Sequence, residues 1–292
     1  MDISGRFIQG KLLSELSTFG IGGPARFFSE ARTIPEMQEL LAYCSSHSLP
    51  FLIIGKGSNS LFDDRGYNGL VILNKIAFCE EKPEGLFYVG AGYSFSLLGV
   101  QTARNKWSGL EFASGIPASV GGAVYMNAGA SGRETKESLV EVSYVTETGE
   151  LQRLQKTDLE FGYRSSIFQK KRGAIVAASF QLTPSQDARE KQLGIVEYRT
   201  RTQPYGDPSA GCVFRNPSGG AAGALIEQCG LKGKEIGGAR VSTLHANFII
   251  NAGGAKAQDV LELAKFVKET VHQKTGLDLE MEIRYIPYQA VQ

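Results

Sequence analysis

Three residues of different chemical type stand out in this sequence, each inside a short run that could shape a site. Cys212 lies in SAGCVFRNP (Ser209–Pro217), where small residues precede the thiol and Arg215 and Asn216 follow it closely. A thiol, with an ordinary pKa of about 8.5, donates a proton near neutral pH more readily than a hydroxyl does. It can also serve as a nucleophile, but no histidine base stands near it in sequence, and a lone cysteine commonly packs as a small core residue. Arg164 lies among aromatics and serines in FGYRSSIF (Phe161–Phe168). It is either half of a surface ion pair or a fixed, always-charged donor aimed at a substrate anion. Glu282 sits among the charged positions of an alternating segment, and nothing in the sequence prefers it over Glu280.

Two runs rich in glycine accompany these side chains. Gly55-Lys56-Gly57-Ser58-Asn59-Ser60 follows the apolar stretch Phe51–Ile54. Its backbone N–H groups, hydroxyls and single cation could hold a diphosphate. It lacks the GK[ST] ending of a P-loop and the third glycine of a dinucleotide fingerprint. Ser114–Gly132 is filled mostly by glycine, alanine and serine. Such a run lets the backbone approach either a phosphate-bearing ligand or a neighbouring element very closely. Gly90-Ala91-Gly92-Tyr93-Ser94-Phe95 falls short of GxGxxG because Phe95 stands at the third glycine, so it reads as a structural turn.

The elements that must position these residues follow from pattern. Thr33 and Pro35 open a helix with Met37, Leu40, Leu41 and Cys44 on one face, and Phe51–Ile54 reads as a buried strand. Helix, strand and glycine loop in that order suggest an α/β layer with a ligand at the strand's carboxyl end. Short strands are expected at Val71–Leu73 and Phe87–Val89. Ser94 caps a helix with Leu97, Leu98, Val100 and Ala103 facing inward. Leu139–Val145 and Leu151–Leu154 form a hairpin around Thr148-Gly149, and Ala174–Leu182 is a further strand. A polar helix from Ser185 ends before Pro204, which marks a boundary. Beyond it come a helix stopped by Gly230, a strand at Asn247–Asn251, and a helix over Ala257–Lys274 stopped at Gly276. In LDLEMEIRY, alternation of apolar with charged residues from Leu277 to Tyr285 predicts a final strand.

Composition narrows the partners. The chain has 292 residues, long for one core, so two or three domains are expected. A net charge of +1 gives no electrostatic case for nucleic acid or an anionic membrane surface. No apolar run approaches the roughly 20 residues that cross a bilayer. The opening MDISGRFIQGKLLSE has no apolar signal core, so a cytoplasmic location is expected. The cysteines (44, 79, 212, 229) and histidines (47, 245, 272) show no metal-ligand spacing, so reduced thiols and no metal site are expected.

These pieces together resemble the UDP-N-acetylenolpyruvoylglucosamine reductases, also called UDP-N-acetylmuramate dehydrogenases, flavoenzymes of bacterial peptidoglycan synthesis. The matching stretches are STFGIGGPARFF (Ser17–Phe28), IIGKGSNSLFDD, GLEFASGIPASVGGAVYMNAGASG, FGYRSSIF, RTQP, SAGCVFRNP, LIEQCGLKG, HANFIIN and LEMEIRYI, in the family's order and over nearly the whole chain. The resemblance implies an α+β fold: a two-lobed FAD-binding domain of the vanillyl-alcohol-oxidase-like type plus a C-terminal α+β substrate-binding domain. The corresponding pieces are 1–75, 76–195 and 196–292, with the last residues able to return to the first lobe.

The family's flavin-clamp segments coincide with Gly55, Lys56, Gly57, Ser58, Asn59 and Ser60, and with Gly115, Pro117, Ser119, Val120, Gly121 and Gly122. Arg199 matches an arginine that helps hold the flavin. No histidine falls in either loop, which implies FAD bound without a covalent link. The resemblance further implies NADPH as hydride donor and an enolpyruvyl ether of a UDP-sugar as substrate. Its catalytic positions fall on Arg164, Cys212 and Glu282, with the thiol as proton donor where many members carry serine. Asn216 matches a substrate diphosphate contact and Arg215 a commonly basic position. No tyrosine-bearing insertion separates the flavin lobes from the last piece, as in the family's compact subgroup. A monomer is expected.

Overall fold

The computed structural model describes residues 3–289. The chain folds as two compact units, and both draw on separated stretches of sequence. The first comprises 1–8, 27–56 and 69–199, and the second 9–26, 57–68 and 200–292. The loop after residue 54 passes from one unit to the other between Lys56 and Gly57.

In the first unit, strands β1 (Ala25–Ala31), β2 (Phe51–Ile54) and β4 (Tyr67–Asn74) make a sheet in the order β1-β4-β2. The chain passes through β3 (Ser60–Phe62) between β2 and β4. Strand β2 runs parallel to β4, from Phe51 opposite Leu70 to Ile54 opposite Leu73. Helix α1 (Ile34–Ser46) begins where Thr33 accepts a hydrogen bond from Glu36 N, and it buries Met37, Leu40, Leu41 and Cys44 as the sequence indicates. Of β2 only Ile54 is buried, because Phe51, Leu52 and Ile53 lie near the margin of this small sheet.

A second sheet follows, built from β5 (Cys79–Lys82), β6 (Leu86–Gly90), β7 (Leu139–Thr146), β8 (Leu151–Gln155) and β9 (Gly173–Gln181) in the antiparallel order β8-β7-β9-β6-β5. The β7–β8 hairpin turns where expected, with Val145 opposite Leu151. Helix α2 (Phe95–Arg104) is capped by Ser94, which accepts from Leu97 N. Its buried face is Phe95, Leu98, Gly99, Thr102 and Ala103, whereas Leu97 is 44 % exposed. Leu98 and Ala103 thus face inward as read from sequence, whereas Val100 is half-buried and Phe95, Gly99 and Thr102 complete the buried face. Helix α3 (Val120–Met126) is short, starts at Ser119 and ends at Asn127, whose φ of +43° supplies a left-handed cap. Helix α4 (Ala188–Thr202) closes the stretch and begins three residues after Ser185.

The second unit is built on β10 (Ser209–Cys212), β11 (Glu235–Ile236), β12 (Ala239–Val241) and β13 (Phe248–Asn251) in the order β10-β13-β12-β11. Helices α5 (Ala222–Gln228) and α6 (Ala257–Thr275) share its core, where Val260, Leu263, Val267 and Val271 meet Ile226, Val241 and Ile249. The left-handed Gly276 ends α6 as expected, while the far end takes its cap from a remote residue: Asp64 accepts Ala257 N at 3.0 Å. Asn247 lies just before β13 and turns its side chain to another task, described below.

The last segment corrects the sequence expectation. Only β14 (Arg284–Ile286) is a strand, paired in parallel with β3 from Arg284 opposite Ser60 to Ile286 opposite Phe62. Leu279 and Ile283 are buried as the alternation indicates, but 277–283 forms no continuous ladder. All four cysteines are free. Among the described residues there is no cluster of metal-ligating side chains and no helix long and apolar enough to cross a membrane.

Candidate active site

In the first unit the two glycine-rich runs meet. A β-carbon added to Gly55 would stand 2.1 Å from Ser119 Oγ, so only a glycine lets the end of β2 lie against the start of α3. The second run is in turn fastened to the turn after β6. Val120 N donates to Tyr93 O at 2.9 Å, Gly121 N to Ala91 O at 2.8 Å, and Phe95 N to Ala118 O at 3.0 Å. Gly122 N donates to Ser119 Oγ at 3.2 Å. The run therefore packs closely on its neighbours at Gly115, Gly121 and Gly129, with open space at Gly132, and Gly90–Phe95 buttresses its middle. Lys56 reaches the same corner, its ammonium donating to the α2 cap Ser94 at 2.8 Å. Arg199 lies along Gly115, where an added β-carbon would fall 2.3 Å from Arg199 Cδ. Pro117 is exposed beside it.

Arg164 is held by a different set of bonds. Gly162 and Ser165 exchange backbone hydrogen bonds at 3.1 and 3.2 Å, so Tyr163 and Arg164 form the tip of a tight turn. Arg164 carries a φ of +53°, a conformation a side chain adopts only when its surroundings hold it. Three side chains do so. Asn127 Nδ2 donates to Gly162 O at 2.9 Å, Ser166 Oγ to Tyr125 O at 2.7 Å, and Gln169 Nε2 to Arg164 O at 3.0 Å. The guanidinium donates to Gly129 O at 2.9 Å and packs over the Tyr163 ring at 5.0 Å. The turn is thus riveted to the end of α3 and to the second glycine-rich run. Nothing in the local sequence announces Asn127 or Gln169 as its supports, since they act across 35 and 5 residues.

In the second unit, Cys212 ends β10 opposite Phe248, after a register shift between Ser209 and Cys212, a stretch in which Gly211 has a φ of +79°. The chain beyond it is clamped by Asn247, which is 3 % exposed. Asn247 Oδ1 accepts Phe214 N at 2.9 Å and its Nδ2 donates to Phe214 O at 2.8 Å, so one side chain satisfies both backbone groups of a buried residue. On the opposite side, Glu282 N donates to Val213 O at 2.7 Å and Arg215 N donates to Glu280 O at 2.9 Å. Glu282 therefore lies on a segment paired directly with the residue after Cys212. The Glu280 side chain is 78 % exposed and only 3.8 Å from Arg215 at its nearest, whereas Glu282 is half-buried. Burial separates the two carboxylates that the sequence leaves equal.

Asn216 Oδ1 accepts a hydrogen bond from Ala222 N at 3.0 Å, at the first turn of α5. Gly57 has a φ of +60° and packs on Leu16, whose carbonyl would lie 2.2 Å from an added β-carbon. The N–H groups of Gly57, Ser58 and Asn59 donate to no backbone carbonyl among the described residues. Together with the Ser58 and Ser60 hydroxyls they are the donor set a diphosphate requires.

Comparison with known proteins places the chain in a family. Residues 25–155 match a family model described as an FAD binding domain, and 203–286 match one described as UDP-N-acetylenolpyruvoylglucosamine reductase, C-terminal domain. UDP-N-acetylenolpyruvoylglucosamine reductase of Protochlamydia amoebophila is 60 % identical over 288 residues, covering 99 % of this chain and 96 % of that protein. The chain belongs to the UDP-N-acetylenolpyruvoylglucosamine reductase family. The reductase of Chlamydia muridarum is 49 % identical over 95 % of this chain and 93 % of its own. The crystal structure of the Thermus caldophilus reductase superimposes with a TM-score of 0.83 at 36 % identity, covering 97 % of this chain and 99 % of that one. As a member of this family the protein is an FAD-dependent oxidoreductase, and the α+β fold of an FAD-binding domain joined to the family's C-terminal domain is the one expected from sequence. In the second unit, the loop donors of Gly57–Asn59 fit the diphosphate of a cofactor of this kind.

Proposed function

We propose that this protein reduces the enolpyruvyl group of UDP-N-acetylglucosamine enolpyruvate to the lactyl ether, giving UDP-N-acetylmuramate, with NADPH as the hydride donor. The observation that carries the reading is the pairing of Glu282 N with Val213 O, which fastens the half-buried residue Glu282 to the residue that follows Cys212. A hydride-transferring enzyme acting on an alkene needs a proton source as well as a hydride source.

FAD, when bound, would supply the hydride-transfer chemistry that links NADPH to the terminal vinyl carbon of the substrate. Cys212 Sγ–H gives a proton to the carbon bearing the carboxylate, and the thiolate regains one from solvent. One NADPH and one proton are consumed, the carbon–carbon double bond becomes single, and NADP⁺ leaves. Arg164 stabilises the charge that collects on the substrate carboxylate while the proton is awaited, and its braced turn supports that role. Glu282 supports the same intermediate by hydrogen bonding. Arg215 and Asn216 serve the substrate diphosphate. Gly55–Ser60, Gly115–Gly122 (with Pro117, Ser119, Val120 and Gly121) and Arg199 hold FAD without a covalent bond.

The division into 1–75, 76–195 and 196–292 goes with this reading. Three hydrophobic clusters lie around α1 and β4, around α2 and α3, and around α5 and α6, but they cross these bounds: the first also holds Val145, Ala174 and Val176, and the last holds Phe19, Ile21 and Leu61. The protein works as a cytoplasmic monomer of the compact subgroup. The test is product analysis in D₂O with unlabelled NADPH. Lactyl product carrying one solvent deuterium beside the carboxylate is expected, and NADPH consumption without that product contradicts the reading.

A further inference from the structure

We infer that Asn59 is a positioning residue for Glu282, acting as the missing rung of a β-ladder. The inference rests on the role proposed above for Glu282. That residue lies in the part of the last segment that forms no regular strand: parallel pairing to β3 begins only at Arg284, opposite Ser60. Met281 makes a single isolated bridge to Phe214. Main chain of this kind is free to shift unless its polar groups are held individually.

Asn59, the residue just before β3, supplies what the ladder does not. Its carbonyl accepts Arg284 N at 2.9 Å, the bond that opens the strand pairing at Arg284 and Ser60. Its side-chain amide then donates to Glu282 O at 3.2 Å, in the place where a backbone N–H would stand if the ladder ran on. The two bonds straddle Ile283, which is 4 % exposed. With Glu282 N fixed on Val213 O at 2.7 Å, both polar backbone groups of Glu282 are anchored, one next to Cys212 and one on the glycine-rich loop. The Asn59 side chain is therefore spent on protein, while its N–H stays with the loop donors. Asparagine suits the position because the short amide reaches a carbonyl that a serine hydroxyl falls short of, and an aspartate would oppose that carbonyl with charge.

The test uses FAD-loaded enzyme and single-turnover rates for the two half-reactions. Asn59→Ala and Asn59→Asp are expected to slow flavin reoxidation by the enolpyruvyl substrate at least tenfold more than flavin reduction by NADPH. Asn59→Ala combined with Glu282→Gln is expected to be no slower than Glu282→Gln alone, since the one acts through the other. Hydrogen exchange of the Glu282 amide, measured in each Asn59 variant whether or not it turns over, is expected to accelerate at least tenfold. Equal slowing of both half-reactions, multiplicative effects in the double variant, or unchanged exchange at Glu282 overturns the inference. Wild-type reoxidation in Glu282→Gln overturns the parent role and the inference together. Slow Glu282→Gln beside a wild-type-like Asn59→Ala overturns the inference alone.

Discussion

Gly55 and Ser119 are separated by less than a side chain: a β-carbon on the first would meet the hydroxyl of the second at 2.1 Å. Two runs that are 64 positions apart in the chain thus share one corner, and the corner is closed to anything larger than hydrogen. Because Ser119 also accepts Gly122 N, pushing it aside disturbs the start of α3. Gly55→Ala is expected to cost about 1–3 kcal/mol through overpacking and to weaken FAD retention. Thermal melts with and without added FAD check both. An unshifted melt with full FAD content would mean that the corner has slack.

Asp63 predicts an acid limit to stability. The residue is 5 % exposed, and its carboxylate accepts from Arg65 Nε at 2.9 Å, Arg65 Nη2 at 2.8 Å and Tyr285 Oη at 2.6 Å. The hydrogen bonds from Arg65 hold its pKa well below the ordinary carboxylate range, the Tyr285 bond adding to them. A depressed native pKa contributes stability that is present above the unfolded value of about 3.9 and lost as pH falls through the native one. Asp259, whose pKa is lowered by the bonds from Lys256 N and Gly238 N, acts in the same direction. Urea unfolding between about pH 6 and pH 3 is expected to show stability falling with pH, and Asp63→Asn is expected to flatten that slope while costing ~2 kcal/mol near neutrality. An equal slope in the variant would assign the acid limit elsewhere.

Arg164→Lys tests the braced turn. Lysine keeps the charge but not the planar fork that donates to Gly129 O. Turnover is expected to fall about 10²-fold, with an unchanged thermal melt. Gln169→Ala, which frees the Arg164 carbonyl, is expected to lower turnover less while leaving FAD content intact. Steady-state rates beside FAD content and melts separate these outcomes, and a wild-type Arg164→Lys would remove the residue from the chemistry.

Cys212→Ala is expected to slow reoxidation by roughly 10²–10⁴-fold, the range for losing a general acid, and to leave reduction by NADPH nearly unchanged. Cys212→Ser is expected to retain far more activity, because a hydroxyl keeps a proton in place. Stopped-flow traces of each half-reaction check this, and equal loss in both would make the thiol structural.

What the sequence made legible was local. The caps Thr33, Ser94 and Gly276 end their helices where the pattern says, because a cap is written within four residues of what it caps. The β7–β8 hairpin was legible for the same reason. The last segment was not. Alternation from Leu277 to Tyr285 reports which side chains are buried, and Leu279 and Ile283 are, but it says nothing about where a partner strand begins. Leu97 reads as inward only when the helical stripe is phased without Phe95, which leads the buried face. In the site, residue types were legible and supports were not. Asn127, Asn247 and Asn59 each fasten a functional segment through a side-chain amide, across 35, 33 and 223 residues, where no short motif can announce them. The choice of Glu282 over Glu280 likewise waits on burial and pairing.

The most direct test of the account is an anaerobic titration of the purified FAD-bound protein, followed by its visible spectrum. NADPH is added first, then UDP-N-acetylglucosamine enolpyruvate. The account predicts that NADPH bleaches the flavin band and that the enolpyruvyl substrate restores it with formation of one lactyl product per flavin. A flavin that NADPH leaves coloured, or that stays bleached when the substrate arrives, contradicts it.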